Sequence, residues 1–120
     1  MVIDIKDRVK CAALQGKIVT AYDAALLINP NDKVGISGFT PSGYAKAVPL
    51  ALAERMEKEP FKIDLWTGAS VGDEADGALT RANGINRRFP YQTNGDTRKA
   101  LKRGAVKYID MQLSPMAQNV

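Results

Sequence analysis

Twice in this chain a short apolar run ends in a glycine-rich turn and passes into a helical pattern, as KVGISGFTPSGY and then as FKIDLWTGAS. A strand followed by a helix can pair in parallel with the next strand, because the helix carries the chain back to the starting edge. Two later runs, INRRFPY at 85–91 and AVKYIDMQL at 105–113, repeat the alternation after further helical stretches. The rhythm predicts an α/β domain with an open, mainly parallel sheet and right-handed crossovers.

Local punctuation places the rest. Residues 4–14 read as a short helix with Ile5, Val9 and Ala12 or Ala13 on one face. Thr20 is an N-cap for a helix over 21–28, which Asn29-Pro30-Asn31-Asp32 stops. The first strand spans 33–39, and a helix follows from about Lys46 to Lys58 with Val48, Leu52 and Met56 at turn spacing. Pro49 fits there only within the first turn. The second strand spans 61–67, with Leu65 and Trp66 in the core. Helices are expected over 73–83, ended by Gly84, and over 97–102, closed by Gly104.

Composition narrows the function classes. Of 120 residues, 45% are hydrophobic and 25% charged, a balance that supports a packed core rather than disorder. The chain contains no histidine, so it cannot by itself build a Ser-His-Asp triad, a Cys-His pair or a His-ligated zinc site. Its single cysteine, Cys11, has no internal disulfide partner and suits a reducing cytoplasm. MVIDIKDRVK lacks the apolar core of a secretory signal, and no run approaches the ~18 apolar residues of a membrane span. The net charge of +4 does not indicate nucleic-acid binding. Its densest cluster, Arg98, Lys99, Lys102 and Arg103, has the spacing of one solvated helix face.

In open α/β sheets, ligands bind beyond the carboxyl ends of the strands, where both glycine turns fall. Glycine allows close backbone approach, and Thr40, Ser42, Thr67 and Ser70 add hydroxyls. Taken alone, turn formation and helix capping are the better account of these residues. GxGxxG and GxxxxGK[ST] are both absent, which argues against a dinucleotide or P-loop site. Asp73, Glu74 and Asp76 read as negative charge at a helix start rather than metal ligands, and no metal site is expected. Arg87 and Arg88 could hold a carboxylate or phosphate bidentately, but surface charge is the favoured reading. Adjacent strand residues point to opposite faces, so at most one of them can serve a site.

SGFTPSGYAKAVPLALAER, LWTGASVGDEADGALTRANGINRRFPYQTN and KYIDMQLSPMAQNV, in that order, resemble the opening third of the acetyl-CoA hydrolase/transferase family. The wording is nearest to the succinyl-CoA:acetate and propionyl-CoA:succinate CoA-transferase type. Ala45 departs from the proline that many members carry there. The resemblance implies two related α/β domains with the active site between them, and a ping-pong exchange of CoA through a glutamyl-CoA thioester. CoA is then a substrate, and no permanently bound cofactor is expected.

By the same resemblance, residues 1–120 form part of the N-terminal domain. The nucleophilic glutamate lies in the second half, so no catalytic residue is expected in this chain. Ser37, Gly38, Phe39, Thr40, Gly68, Ser70 and Arg88 carry over as substrate-binding residues. SPMAQNV after the last strand supplies no helix or strand stop, which suggests a piece of a larger protein. The expected partners are acyl-CoA, short carboxylates, the remaining part of the transferase and a second copy in a homodimer. Neither nucleic acid nor membrane is expected. A free-standing CoA- or anion-binding module and a small subunit completed by a partner chain are the competing readings.

Overall fold

The structure is a computed structural model that describes residues 4–68, 72–90, 94–109 and 114–119. Its main sheet has four parallel strands in the order β1 (Lys33–Ile36), β4 (Ile63–Thr67), β5 (Ile85–Phe89), β6 (Lys107–Tyr108). The strands between β1 and β4, β2 (Gly38–Phe39) and β3 (Gly43–Tyr44), form a separate antiparallel pair. The helices are α1 (Ile5–Arg8), α2 (Ala12–Gln15), α3 (Ala21–Leu26), α4 (Ala47–Lys58), α5 (Ala78–Arg81), α6 (Gly95–Lys102) and α7 (Met116–Asn119).

Helix α3 packs on α4, α4 on α5, and α5 on α6. Strands that advance in one direction across a sheet, with their connecting helices in one layer, are what crossovers of constant hand produce. The core lies between the two layers. Leu52 and Met56 from α4 and Leu79 from α5 meet Ile63, Leu65 and Ile85 from the strands. Burying a side chain of this size contributes roughly 1.5–3 kcal/mol. Leu65 belongs to this core, but Trp66 points to the other face of the sheet, where its ring stacks on Phe89 at 4.2 Å. Among the described residues, no helix is long and apolar enough to cross a membrane.

Several boundaries differ from the sequence expectation. The helix expected over 4–14 breaks into α1 and α2, with extended backbone at Val9 and Cys11. Neither piece buries a residue, and an isolated helix that short gains too little to persist as one rod. The strand expected over 33–39 stops at Ile36, and Gly38–Phe39 folds back onto Gly43–Tyr44 instead. The helix expected over 73–83 begins as a π-helical turn, Asp73–Gly77, before α5. Asn83, at φ 54°, takes the left-handed position that ends it. Gly84 serves packing, since a Cβ there would lie 2.1 Å from Met56 Sδ.

Other expectations hold in their essentials. Thr20 caps α3 by accepting from Asp23 N at 3.1 Å, and Pro49 falls in the first turn of α4, where its missing N–H costs no helical bond. Helix α6 starts two residues early because Asn94 Oδ1 accepts from both Asp96 N and Thr97 N. Gly104, at φ 72°, closes it. Ala105 and Val106 precede strand β6 rather than belonging to it. Tyr91 and residues 110–113, placed in strands by the sequence pattern, lie outside the described residues.

Leu65→Ala should cost about 2–5 kcal/mol in urea or guanidinium unfolding, because Leu65 is fully buried and its loss leaves a cavity. Leu27, 77% exposed, should tolerate alanine within about 0.5 kcal/mol. Equal losses at both positions would contradict this placement of the core.

Candidate functional site

Strands β1 and β4 are parallel neighbours, so their carboxyl ends place the SGFTPSG and TGAS turns side by side. The two turns touch through backbone: a Cβ on Gly68 would stand 2.7 Å from the Gly38 carbonyl oxygen. Any side chain at 68 would push the turns apart, which is a reason for glycine there. Around this contact lie Ser37, Phe39 and Thr40. Phe39 is 75% exposed, an apolar ring held in solvent at the tip of the β2–β3 hairpin. Thr40 adopts φ 49°, a left-handed conformation that a β-branched residue enters at a cost of about 1–3 kcal/mol. Ser70 lies outside the described residues.

Beneath the turns, Thr67 ends β4 with its hydroxyl buried and without a hydrogen-bond partner among the described residues. An apolar cleft of about 310 Å³ opens beside β1 and α4, with Val34, Ile36, Val48 and Leu52 in its walls and Ser37 at one end.

The three acidic residues after the second turn fall in the first turn of the π-helical segment, as expected. They diverge onto three different partners. Asp73 takes both oxygens to Arg81, at 2.8 and 2.9 Å, and Arg81 also reaches Asp96 at 2.9 Å. The Arg81 hydrogen bonds hold the Asp73 carboxyl below its usual range. Glu74 accepts from the Tyr44 hydroxyl and pairs with Lys46 at 3.3 Å. This joins the hairpin of the first turn to the segment after the second. Asp76 is fully buried and holds Arg88 through two bonds, Nε to Oδ1 at 2.7 Å and Nη2 to Oδ2 at 3.0 Å.

Arg88 corrects the surface-charge reading. It has no exposed surface, whereas Arg87 is half-buried on the other side with its guanidinium 6.0 Å from the Phe89 ring. The cause is a register shift between β4 and β5. Ile63 pairs with Ile85, but Asp64 pairs with Arg87, leaving Asn86 as the extra residue. One inserted residue inverts the alternation that follows. Arg88 therefore turns toward the helix layer beside Leu65, and Phe89 joins Trp66 on the opposite face. Asn86 donates to Asp64 Oδ1 at 2.8 Å, which braces the bulge. Besides Asp76, the Arg88 guanidinium donates to the Phe89 carbonyl and, at 3.4 Å, to the Gly68 carbonyl. Strict strand alternation could not reveal this; the nearest sequence signal was the adjacent arginine pair itself.

The basic residues of α6 remain a surface feature. Arg98, Lys99, Lys102 and Arg103 are all exposed.

Residues 3–120 match the family described as the acetyl-CoA hydrolase/transferase N-terminal domain. A succinyl-CoA:acetate CoA-transferase of Clostridium kluyveri is 50% identical over 115 residues, covering 94% of this chain and 21% of that protein. A propanoyl-CoA:succinate CoA transferase of Escherichia coli is 45% identical over 107 residues, covering 85% and 22%. An acetyl-CoA hydrolase of Schizosaccharomyces pombe is 33% identical over 123 residues, covering 97% and 23%. The chain thus spans about a fifth of the length of these relatives.

Two predictions follow from the geometry of the turns. Gly68→Ala should destabilise by about 1–3 kcal/mol, since the opposing atom is backbone and cannot swing aside. Gly35→Ala, whose Cβ meets open space, should stay within about 0.5 kcal/mol in the same denaturation experiment. The second concerns pH. Its hydrogen bond with Glu74 pushes the Tyr44 phenol up to about 12, and the same bond, aided by Lys46, holds Glu74 below its usual range. A depressed carboxyl stabilises above its unfolded value, and a raised phenol stabilises below its own. Wild type should therefore exceed Glu74→Gln in melting temperature from about pH 5 to 10. That advantage should decline once pH falls below the ordinary glutamate value of 4.5 and be lost as pH passes through the lower folded value. An unchanged difference at pH 3 would refute the assignment.

Proposed function

This chain belongs to the acetyl-CoA hydrolase/transferase family, and on that basis we propose that it is the N-terminal part of an enzyme moving CoA between short acyl-CoAs and carboxylates such as acetate, succinate or propionate. The observation that carries the reading is the meeting of the two glycine turns at the carboxyl ends of adjacent parallel strands, the place where open α/β sheets bind ligands. Ser37, Gly38, Phe39 and Thr40 on one turn, with Gly68 and Ser70 on the other, form one wall of the acyl-CoA site. The exposed Phe39 ring supplies apolar contact area, and the hydroxyls supply donors for a carboxylate or thioester oxygen.

In this reading a glutamate outside residues 1–120 attacks the thioester carbonyl. The C–S bond breaks, CoA leaves as thiolate, and an acyl–glutamyl anhydride forms. The thiolate then attacks the glutamyl carbonyl, releasing the first carboxylate and leaving a glutamyl-CoA thioester. A second carboxylate runs the same steps backwards and departs as its acyl-CoA. Covalent catalysis divides one difficult exchange into easier steps. The protein is cytoplasmic and works as a homodimer, with CoA as substrate and without a resident cofactor.

The test is acyl exchange between acetyl-CoA and succinate, followed by chromatography of the CoA esters. The full-length protein should form succinyl-CoA, and the 120-residue chain alone should form none. Ser70→Ala in the full-length protein should lower the exchange rate roughly tenfold, the effect of losing one hydrogen bond to the reacting group. Exchange by the isolated chain would place the nucleophile within it. Full activity of the serine variant would remove Ser70 from the wall.

A further inference from the structure

Arg88 has two features that a substrate-contacting arginine lacks. Its guanidinium is wholly buried, and its charge is met by an equally buried carboxylate, Asp76, through a two-pronged contact. An arginine that clamps a ligand carboxylate presents its fork to the ligand; this fork is turned into the protein. Among the described residues, its guanidinium also donates to two backbone carbonyls, Phe89 on its own strand and Gly68 at the end of the neighbouring one. Gly68 is also the residue in contact with the Gly38 carbonyl of the first turn.

We infer that Arg88 is a positioning residue that sets the spacing of the two glycine turns by holding the Gly68 carbonyl from below, with Asp76 fixing the guanidinium. The inference rests on the site proposed above, and it assigns Arg88 a role within that site different from ligand contact. The parts form one connected assembly. The bulge at Asn86 turns Arg88 inward. The π-helical turn Asp73–Gly77 brings Asp76 to meet it. Thr97 Oγ1 donates to the Asp76 carbonyl at 3.5 Å, and Thr80 and Thr97 share a buried hydroxyl contact at 2.9 Å. Helix α6 thus supports the acid from behind. Lysine cannot replace this arginine: a single ammonium can neutralise Asp76 but has no planar fork to span a carboxylate and two carbonyls.

A paired replacement separates positioning from simple charge balance. Arg88→Met with Asp76→Leu removes both buried charges together and substitutes apolar groups of similar size, a change that buried ion pairs often tolerate without loss of stability. In the full-length protein the double variant should melt within a few degrees of wild type. Its kcat for acetyl-CoA:succinate exchange should nevertheless fall about 10- to 100-fold, the range expected when catalytic groups are displaced by about an ångström. KM for succinate should change less than about threefold. Arg88→Lys should show the same loss of kcat. Wild-type kcat in the stable double variant would reduce Arg88 to a structural ion pair. A large rise in succinate KM with kcat unchanged would make it a ligand contact instead; either result overturns the inference.

A readout independent of activity covers failure of the functional reading. In the 120-residue chain, the double variant should shift the backbone amide resonance of Gly38, which among the described residues is linked to Arg88 through Gly68. The resonance of Ile63, deep in the same sheet, should stay in place. An unmoved Gly38 signal would refute positioning even if the protein proved to have no transferase activity.

Discussion

The buried ion pair between Arg88 and Asp76 is the constraint around which the sheet's carboxyl end is arranged. Two charges withdrawn from water carry a desolvation penalty of several kcal/mol each, which mutual attraction offsets only when geometry and additional hydrogen bonds are good. Here the guanidinium donates, among the described residues, to a carboxylate and two main-chain carbonyls. Those carbonyls belong to the ends of two adjacent strands. Satisfying one side chain thereby fixes the relative height of β4 and β5, and with it the turn that leaves β4.

That turn leans on another. The contact between Gly68 and Gly38 carries the constraint from the middle of the sheet to its edge strand, and the Tyr44–Glu74–Lys46 cluster ties the far side of the hairpin down. The upper surface faces solvent. It carries a solvent-facing phenylalanine and a threonine in left-handed backbone, both of which cost free energy when nothing is bound. Such costs gather where a ligand or a second structural layer completes the surface.

Much of the scaffold was legible because its causes are local. Thr20 stops and starts the chain by its own hydroxyl, Gly104 closes α6 through its left-handed backbone, and Pro49 can sit only in a first turn. Leu52 and Met56 reveal their face by spacing alone. The errors have one common source. Residues 4–14 form no single helix because no core face receives them. Asp76 does sit at a helix start, but its pairing was hidden because its partner lies twelve residues away on strand β5. Trp66 looked like core because apolar character does not say which face of a sheet a residue occupies.

What the sequence determined by itself was the order of strands and helices, and the place of both glycine turns at strand carboxyl ends. Periodicity, caps and glycine depend only on near neighbours along the chain. What the tertiary structure decided was the bulge at Asn86, and therefore which arginine is buried, which acid receives it and how the two turns meet. A single inserted residue inverts every side chain beyond it, and its position depends on register against another strand. No reading of one strand alone contains that information, since the pairing energies that choose the register act between residues distant in sequence.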